Sequence, residues 1–283
     1  MFVKMNKKTY IKIFAGIGNQ IFQYCYGLLQ QKNGRSVNYI LNKTYDKNGK
    51  SHDLTEVFNL FDLNRNSASN IYAPEGVLSS IRINAKKVFA KYIIQSYQTG
   101  FYQRAEYIEE LTKNCNIHNI IKFKNEEIYI KTETYKLIEQ CKTPVSIHIR
   151  GGDYLSDGSS YSGICTEEYY KKAILFLLGK TKKPHFFVFT NDKPFCISLL
   201  SPLGIEQDHY SIIDDEPYLK DDPGFDLFLM SKCSHNIIAN STYSWWGAYL
   251  NENKQKIVIT PAKWTQNDDP SLQAIKPRIW ISL

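Results

Sequence analysis

At 283 residues the chain exceeds the roughly 100–200 residues of one typical domain, so two lobes are the first expectation, with 43% apolar content enough for a large core. The net charge of +7 is too dilute for a nucleic-acid surface: the basic clusters at 84–87 and 180–183 read as solvated faces, and the excess suits an anionic ligand or membrane surface. Six cysteines without a C-x-x-C pair exclude zinc-site spacing, and the absence of a signal-peptide or spanning apolar run predicts a soluble cytoplasmic chain with reduced thiols.

In chain order, the strand-like run Tyr-Ile-Lys-Ile-Phe (10–14) leads into Ala-Gly-Ile-Gly-Asn-Gln, a helix from about Asn19 to Lys32, and a second strand at 37–41. A less regular region spans 42–90. Residues 95–114 then end in a helix, and charge-rich helical signals continue to about Gln140. Pro144 marks the expected lobe boundary, giving lobes 1–142 and 143–283. Beyond it, strands at 145–150, 185–190, 210–214, 235–240 and 256–260 alternate with helices, one of them opened by Thr166 as N-cap. That alternation predicts a parallel sheet covered on both faces. Twenty tyrosines and fifteen phenylalanines fit either a protein that handles rings or a ring-rich core.

Three strand ends carry polar groups, where open α/β sheets bind their ligands. In Val-Ser-Ile-His-Ile-Arg, the period of two sets Val145, Ile147 and Ile149 on one face and Ser146, His148 and Arg150 on the other. A buried His and Arg require partners, either a structural ion pair or a ligand. Arg150 before Gly151-Gly152 fits a guanidinium aimed at phosphate, with Asp153 orienting it or capping the turn. Asn240, Ser241, Thr242 and Ser244 surround a helix start suited to phosphate or to a plain N-cap, and Trp245 and Trp246 read as packing residues. Gly16 and Gly18 open no dinucleotide fingerprint, because Ile21 replaces the third glycine and no acid closes the second strand; a P-loop is absent as well. Asp214–Glu216 and two Asp-Asp-Pro turns could chelate a cation, but their Pro-rich setting reads as exposed turns, so no metal is expected.

Together these segments resemble glycosyltransferase family 11, the bacterial α-1,2-fucosyltransferases. The family's H-x-R-R-G-D-Y is similar to His148–Tyr154, its amino-terminal G-x-G-N-Q-x-F-Q-Y to Gly16–Tyr24, and its second long block to Leu229–Leu250. One departure is Gly151, where the family has a second Arg. The resemblance implies a GT-B-like α/β fold of two Rossmann-type lobes with a cleft between them, the acceptor on the first lobe and GDP-fucose on the second. It implies inverting transfer of fucose to the 2-hydroxyl of a galactose, in an oligosaccharide or lipid-linked glycan, without cofactor or metal. His148 and Asp192 would hold guanine, catalytic Arg150 with Ser241, Thr242 and Ser244 the diphosphate, and Asn19 the diphosphate or fucose; Gly16, Gly18, Gln20 and Asn240 complete the expected GDP-fucose-binding set. Asp153 stands as the base or as an orienting group for Arg150. Alternatives carried alongside are another linkage from the same donor and a non-catalytic nucleotide-sugar binder; peripheral contact with the inner membrane completes the expectation.

Overall fold

Apolar β-branched runs punctuated by Gly and Pro produce two parallel sheets. The computed structural model describes residues 8–41, 44–45, 51–52, 56–64, 68–69, 95–156, 158–213, 219, 222–267 and 269–283. By contacts the chain divides into two compact units, Met1–Lys122 and Phe123–Leu283.

The first unit runs β1 (Lys8–Ile13), α1 (Ile17–Lys32), β2 (Ser36–Leu41), a short hairpin of β3 (Thr44–Tyr45) and β4 (Ser51–His52), α2 (Glu56–Leu60), β5 (Ala68–Ser69), β6 (Gln95–Gln98) and α3 (Ala105–Thr112). Its main sheet has the order β5-β2-β1-β6, with every pairing parallel. Helix α1 begins at Ile17, two residues before the expected Asn19, because Gly16 is the N-cap and its carbonyl accepts Asn19 N at 2.9 Å and Gln20 N at 3.1 Å.

The second unit comprises α4 (Glu126–Tyr129), α5 (Glu133–Gln140), β7 (Pro144–Ile149), α6 (Glu167–Lys180), β8 (His185–Thr190), α7 (Lys193–Leu200), β9 (Tyr210–Ile212), α8 (Pro223–Lys232), β10 (His235–Ile237), α9 (Thr242–Tyr249), β11 (Val258–Thr260), α10 (Pro270–Gln273) and β12 (Ile281–Ser282). The sheet order is β12-β11-β10-β7-β8-β9, parallel throughout. The division of units falls before α4 rather than at the expected 142/143. The reason is packing: Tyr129 sets its ring 5.4 Å from Phe225 and 5.2 Å from Phe228 of α8, and Tyr135 lies 5.7 Å from Phe228. Residues 214–218, which include the expected Asp214–Glu216 turn, lie outside the described residues, as do parts of the two Asp-Asp-Pro turns.

Strand β7 is buried along its whole length. Val145, Ile147 and Ile149 join Tyr170, Ala173, Ile174 and Leu177 of α6 in the core, as the period of two requires. On the opposite face Ser146 accepts from Asn236 Nδ2 at 2.7 Å. That amide also donates to the Met230 carbonyl at 2.8 Å, and its oxygen accepts from Asn251 at 2.8 Å. This buried network satisfies its own donors and acceptors and fixes β7 against β10.

Tyrosines act as struts. Tyr169 of α6 donates to the Ile238 carbonyl at 2.6 Å, Tyr170 to the His148 carbonyl at 2.9 Å, and Tyr39 to the Tyr24 carbonyl at 2.8 Å. Burial raises all three phenols well above their ordinary pKa, so they serve as neutral donors. All six cysteines are free thiols, and Cys25, Cys196 and Cys233 are buried. No helix among the described residues is long and apolar enough to cross a membrane.

Buried Gln20 joins two segments of the first unit, donating to the Ala15 carbonyl at 2.9 Å and accepting from Val57 N at 3.2 Å. Gln20→Ala leaves that amide without its acceptor. The expected loss is about 1–3 kcal/mol in urea unfolding.

Candidate functional site

In the second sheet the chain steps outward from β7 through β8 to β9 on one side and from β10 through β11 to β12 on the other. The carboxyl ends of β7 and β10 therefore flank the topological switch point, where open parallel sheets leave a ligand crevice. The loop after β7 carries Arg150-Gly151-Gly152, that after β8 carries Asn191-Asp192, and that after β10 carries Asn240-Ser241.

His148 is 4% exposed, and its Nδ1 is buried without a hydrogen-bond partner. Burial, reinforced by the Arg150 charge, pulls its pKa down to about 3, so the imidazole is neutral. Its ring lies 5.8 Å from that of Tyr243, whose hydroxyl is tied to the Pro223 carbonyl at 2.5 Å. Half-buried Arg150 holds its guanidinium 5.4 Å from the Tyr154 ring centroid, a cation–π contact that orients it. A neutral buried imidazole with an unspent ring nitrogen beside a fixed cation is costly unless a ligand completes it.

The turn after β7 is held by the end of β8. Gly151 N donates to Asn191 Oδ1 at 2.9 Å and Gly152 N to Asp192 Oδ2 at 3.3 Å. Asp192 is also the N-cap of α7, its Oδ1 accepting from Phe195 N at 3.1 Å. Gly152 adopts a left-handed φ of 60°, a conformation that favours glycine. Gly151 has no room for a side chain: a Cβ there would stand 2.6 Å from Asp192 Cβ and 2.9 Å from its Oδ2. A side chain at position 151 can be accommodated only if Asp192 moves. Asp153 lies in the 3-10 turn Gly152–Leu155, and its side chain lies outside the described residues.

At the end of β10 the expected polar cluster separates into two kinds. Asn240, 1% exposed, donates to the carbonyls of Tyr161 and Trp264, both at 3.0 Å, and so pins two loops. Ser244 is fully buried and returns its hydroxyl to the Ser241 carbonyl at 3.3 Å and the Ala239 carbonyl at 3.4 Å. Ser241 is the N-cap residue of α9 without a side-chain cap bond, and half-buried Thr242 is its first helical residue. These two stand where the helix N-terminus offers its amides. Trp245 and Trp246 are fully buried packing residues.

In the first unit, the Gly16–Gln20 motif is largely architectural. Ala15 adopts φ 65°, Gly16 caps α1, Gly18 is buried in its first turn, and Gln20 knits backbone as described above. Asn19 is half-buried and accepts from Gln103 Nε2 at 2.6 Å. Gln23, absent from the expected site residues, accepts from Phe14 N at 2.8 Å and donates to the Gly100 carbonyl at 3.3 Å. In the second unit, Asn191, Tyr170 and Tyr243 were likewise missed, although Asn191 adjoins Asp192 in the same Thr-Asn-Asp tripeptide.

Among the described residues one group has metal-ligand reach, the exposed Glu206, Asp208 and His209. They precede β9 and lie at the amino-terminal edge of the sheet, away from the carboxyl-end loops.

Two outcomes test this geometry. Gly151→Ala forces Asp192 away and lowers stability by about 1–3 kcal/mol, and the loss shrinks in the Gly151→Ala/Asp192→Gly double variant, read from urea midpoints. For His148, the unfolded imidazole protonates near pH 6.5 and the folded one only near 3. Between these values the unfolded state holds the extra proton, so stability falls as pH falls. His148→Gln flattens that dependence between pH 7 and pH 5.

Comparison with known proteins places the chain in a family. The family model described as glycosyl transferase family 11 matches residues 81–283. An alpha-1,2-colitosyltransferase of Escherichia coli is 28% identical, the alignment covering 96% of this chain and 97% of the relative. The O-antigen biosynthesis glycosyltransferase WbnK, also of Escherichia coli, is 26% identical over 97% of this chain and all of the relative. Among solved structures, NodZ alpha-1,6-fucosyltransferase co-crystallized with GDP superposes with a TM-score of 0.50 at 12% identity, covering 88% of this chain and 93% of that one. POFUT1 in complex with GDP-fucose gives 0.51 at 13% identity, covering 89% and 96%. These likenesses identify the fold as that of the GT-B fucosyltransferases. Taken with the family match, they make the chain a glycosyltransferase, and it belongs to glycosyltransferase family 11.

Proposed function

We propose that this enzyme transfers L-fucose from GDP-β-L-fucose, with inversion, to the 2-hydroxyl of a galactose in a glycan acceptor, the second unit taking the donor and the first the acceptor. The observation that carries this reading is His148 and Arg150 at the switch point: a neutral imidazole with Nδ1 unspent, next to an oriented guanidinium. The imidazole suits an uncharged base edge, and the guanidinium suits a diphosphate. Asp192 keeps second lone pairs for guanine on oxygens that already hold the turn, so it would act on the donor both directly and by positioning.

Bond cleavage moves negative charge onto the departing β-phosphate while the sugar becomes cationic. Arg150 and the N-terminus of α9 at Ser241–Thr242 would stabilise that separation, the task a divalent ion performs elsewhere, while the Gly151-Gly152 amides, already donated to Asn191 and Asp192, would hold the turn that positions Arg150. Asp153 would serve as base for the acceptor hydroxyl or as an orienting group for Arg150. Asn240 and Ser244 would contribute by fixing the loops, since their polar atoms are turned to backbone carbonyls. Cytoplasmic residence, with peripheral contact at the inner membrane where the acceptor is lipid-linked, belongs to the same proposal.

A second donor is favoured by one observation, the relative described as a colitosyltransferase. Colitose is fucose without its 3-hydroxyl, so the same diphosphate chemistry serves both sugars. Parallel assays with GDP-fucose and GDP-colitose on lactose, followed by NMR of the linkage, decide between them; the expected product is an α-1,2-fucosylated galactose.

Arg150→Ala should lower kcat by about 10²–10³ with circular dichroism and melting temperature unchanged, and wild-type turnover should persist in EDTA. Near-normal turnover of a folded Arg150→Ala enzyme, or rescue of an EDTA-silenced wild type by manganese, defeats the scheme.

A further inference from the structure

The first sheet has a switch point of its own. In the order β5-β2-β1-β6, the carboxyl ends of β1 and β6 flank it, and the loops leaving there are Phe14-Ala15-Gly16 and Thr99–Gln103. Each loop holds a non-glycine residue in the left-handed region, Ala15 at φ 65° and Tyr102 at φ 52°. Such conformations cost about 1–3 kcal/mol each and persist only where the surroundings enforce them.

Those surroundings are visible. Gln23 bridges the loops by accepting from Phe14 N and donating to the Gly100 carbonyl, and Gln103 ties the second loop to Asn19. The Tyr102 ring stacks on Tyr26 of α1 at 3.9 Å between centroids, 3° from parallel. The rim presents Phe101, 43% exposed. Phe14 packs 5.0 Å from it at a tilt of 43°, with Lys12 Nζ 5.7 Å from the Phe14 centroid. A strained, cross-braced frame holding an apolar ring in water is what a ring-stacking ligand needs and what simple loop packing does not.

We infer that Phe101, backed by Phe14, is the stacking platform for the acceptor galactose, an inference resting on the galactoside acceptor proposed above. Galactose gathers its C3, C4 and C5 hydrogens on one face, an apolar patch that lies flat on an aromatic ring while its hydroxyls point outward. The Asn19–Gln103 amide pair joins the first turn of α1 to the end of the second loop. Phe101 is a binding residue in this account and takes no part in bond cleavage.

The test uses lactose. Phe101→Ala and Phe101→Leu should each raise the lactose KM about tenfold, while Phe101→Tyr, which keeps the ring, stays close to wild type. The calorimetric affinity for GDP should be unchanged in all three. An unchanged lactose KM in Phe101→Ala overturns the inference. So does a parallel loss of GDP affinity and melting temperature, which would mark Phe101 as structural. If the wild type binds GDP yet transfers no fucose, the proposed reaction fails by itself. Saturation-transfer NMR then reads the platform independently: saturation at galactose H3, H4 and H5 must appear with wild type and vanish with Phe101→Ala, and equal signals from both refute it.

Discussion

The second unit depends on one short backbone turn being held still. Gly151 and Gly152 follow a fully buried strand, and their amides are gripped by Asn191 and Asp192 from the neighbouring strand end. Everything with chemical potential is referenced to that grip. Arg150 immediately precedes the turn, His148 lies two residues further back, and Tyr170 holds the His148 carbonyl from the helix above. An electrostatic site must have its dipoles in place before charge develops, because reorienting them during reaction would forfeit the gain. In the proposed site the turn is set by side-chain acceptors, Asn191 and Asp192, from the loop after the adjacent strand.

The strand–helix alternation, the buried face of β7 and the Thr166 cap were legible because period-two and N-cap signals are local. Thr166 does accept from Tyr169 N, at 3.4 Å. The start of α1 was misjudged because Gly16 caps through its carbonyl and offers no side-chain signal. The division before α4 left no trace in sequence because ring packing of Tyr129 and Tyr135 on α8 joins residues almost a hundred positions apart. Strand β12 has only two residues and leaves almost no periodic trace.

The polar residues divide in the same way. His148 and Arg150 could be singled out because charge on a buried strand is anomalous by itself. Asn240 and Ser244 looked equally chemical in sequence, yet their partners are carbonyls of loops and of their own turn, a fact of tertiary placement. Gln20 and Gln23 make the same point in the first unit. What reads as a motif around Gly16 is, atom by atom, mostly a means of sewing strand ends to a helix, and Asn19 is its polar side chain left at a half-buried position. The abundance of tyrosine has a similar explanation where it is described: Tyr39, Tyr169 and Tyr170 are buried donors to main-chain carbonyls.

Positions 151 and 192 form one steric unit. A Cβ at 151 would stand 2.6 Å from the Asp192 β-carbon, so anything larger than hydrogen there displaces Asp192, and with it both the Gly152 amide and the first turn of α7 that the same carboxylate holds. The glycine is thereby part of the capping of a helix about forty residues further along the chain.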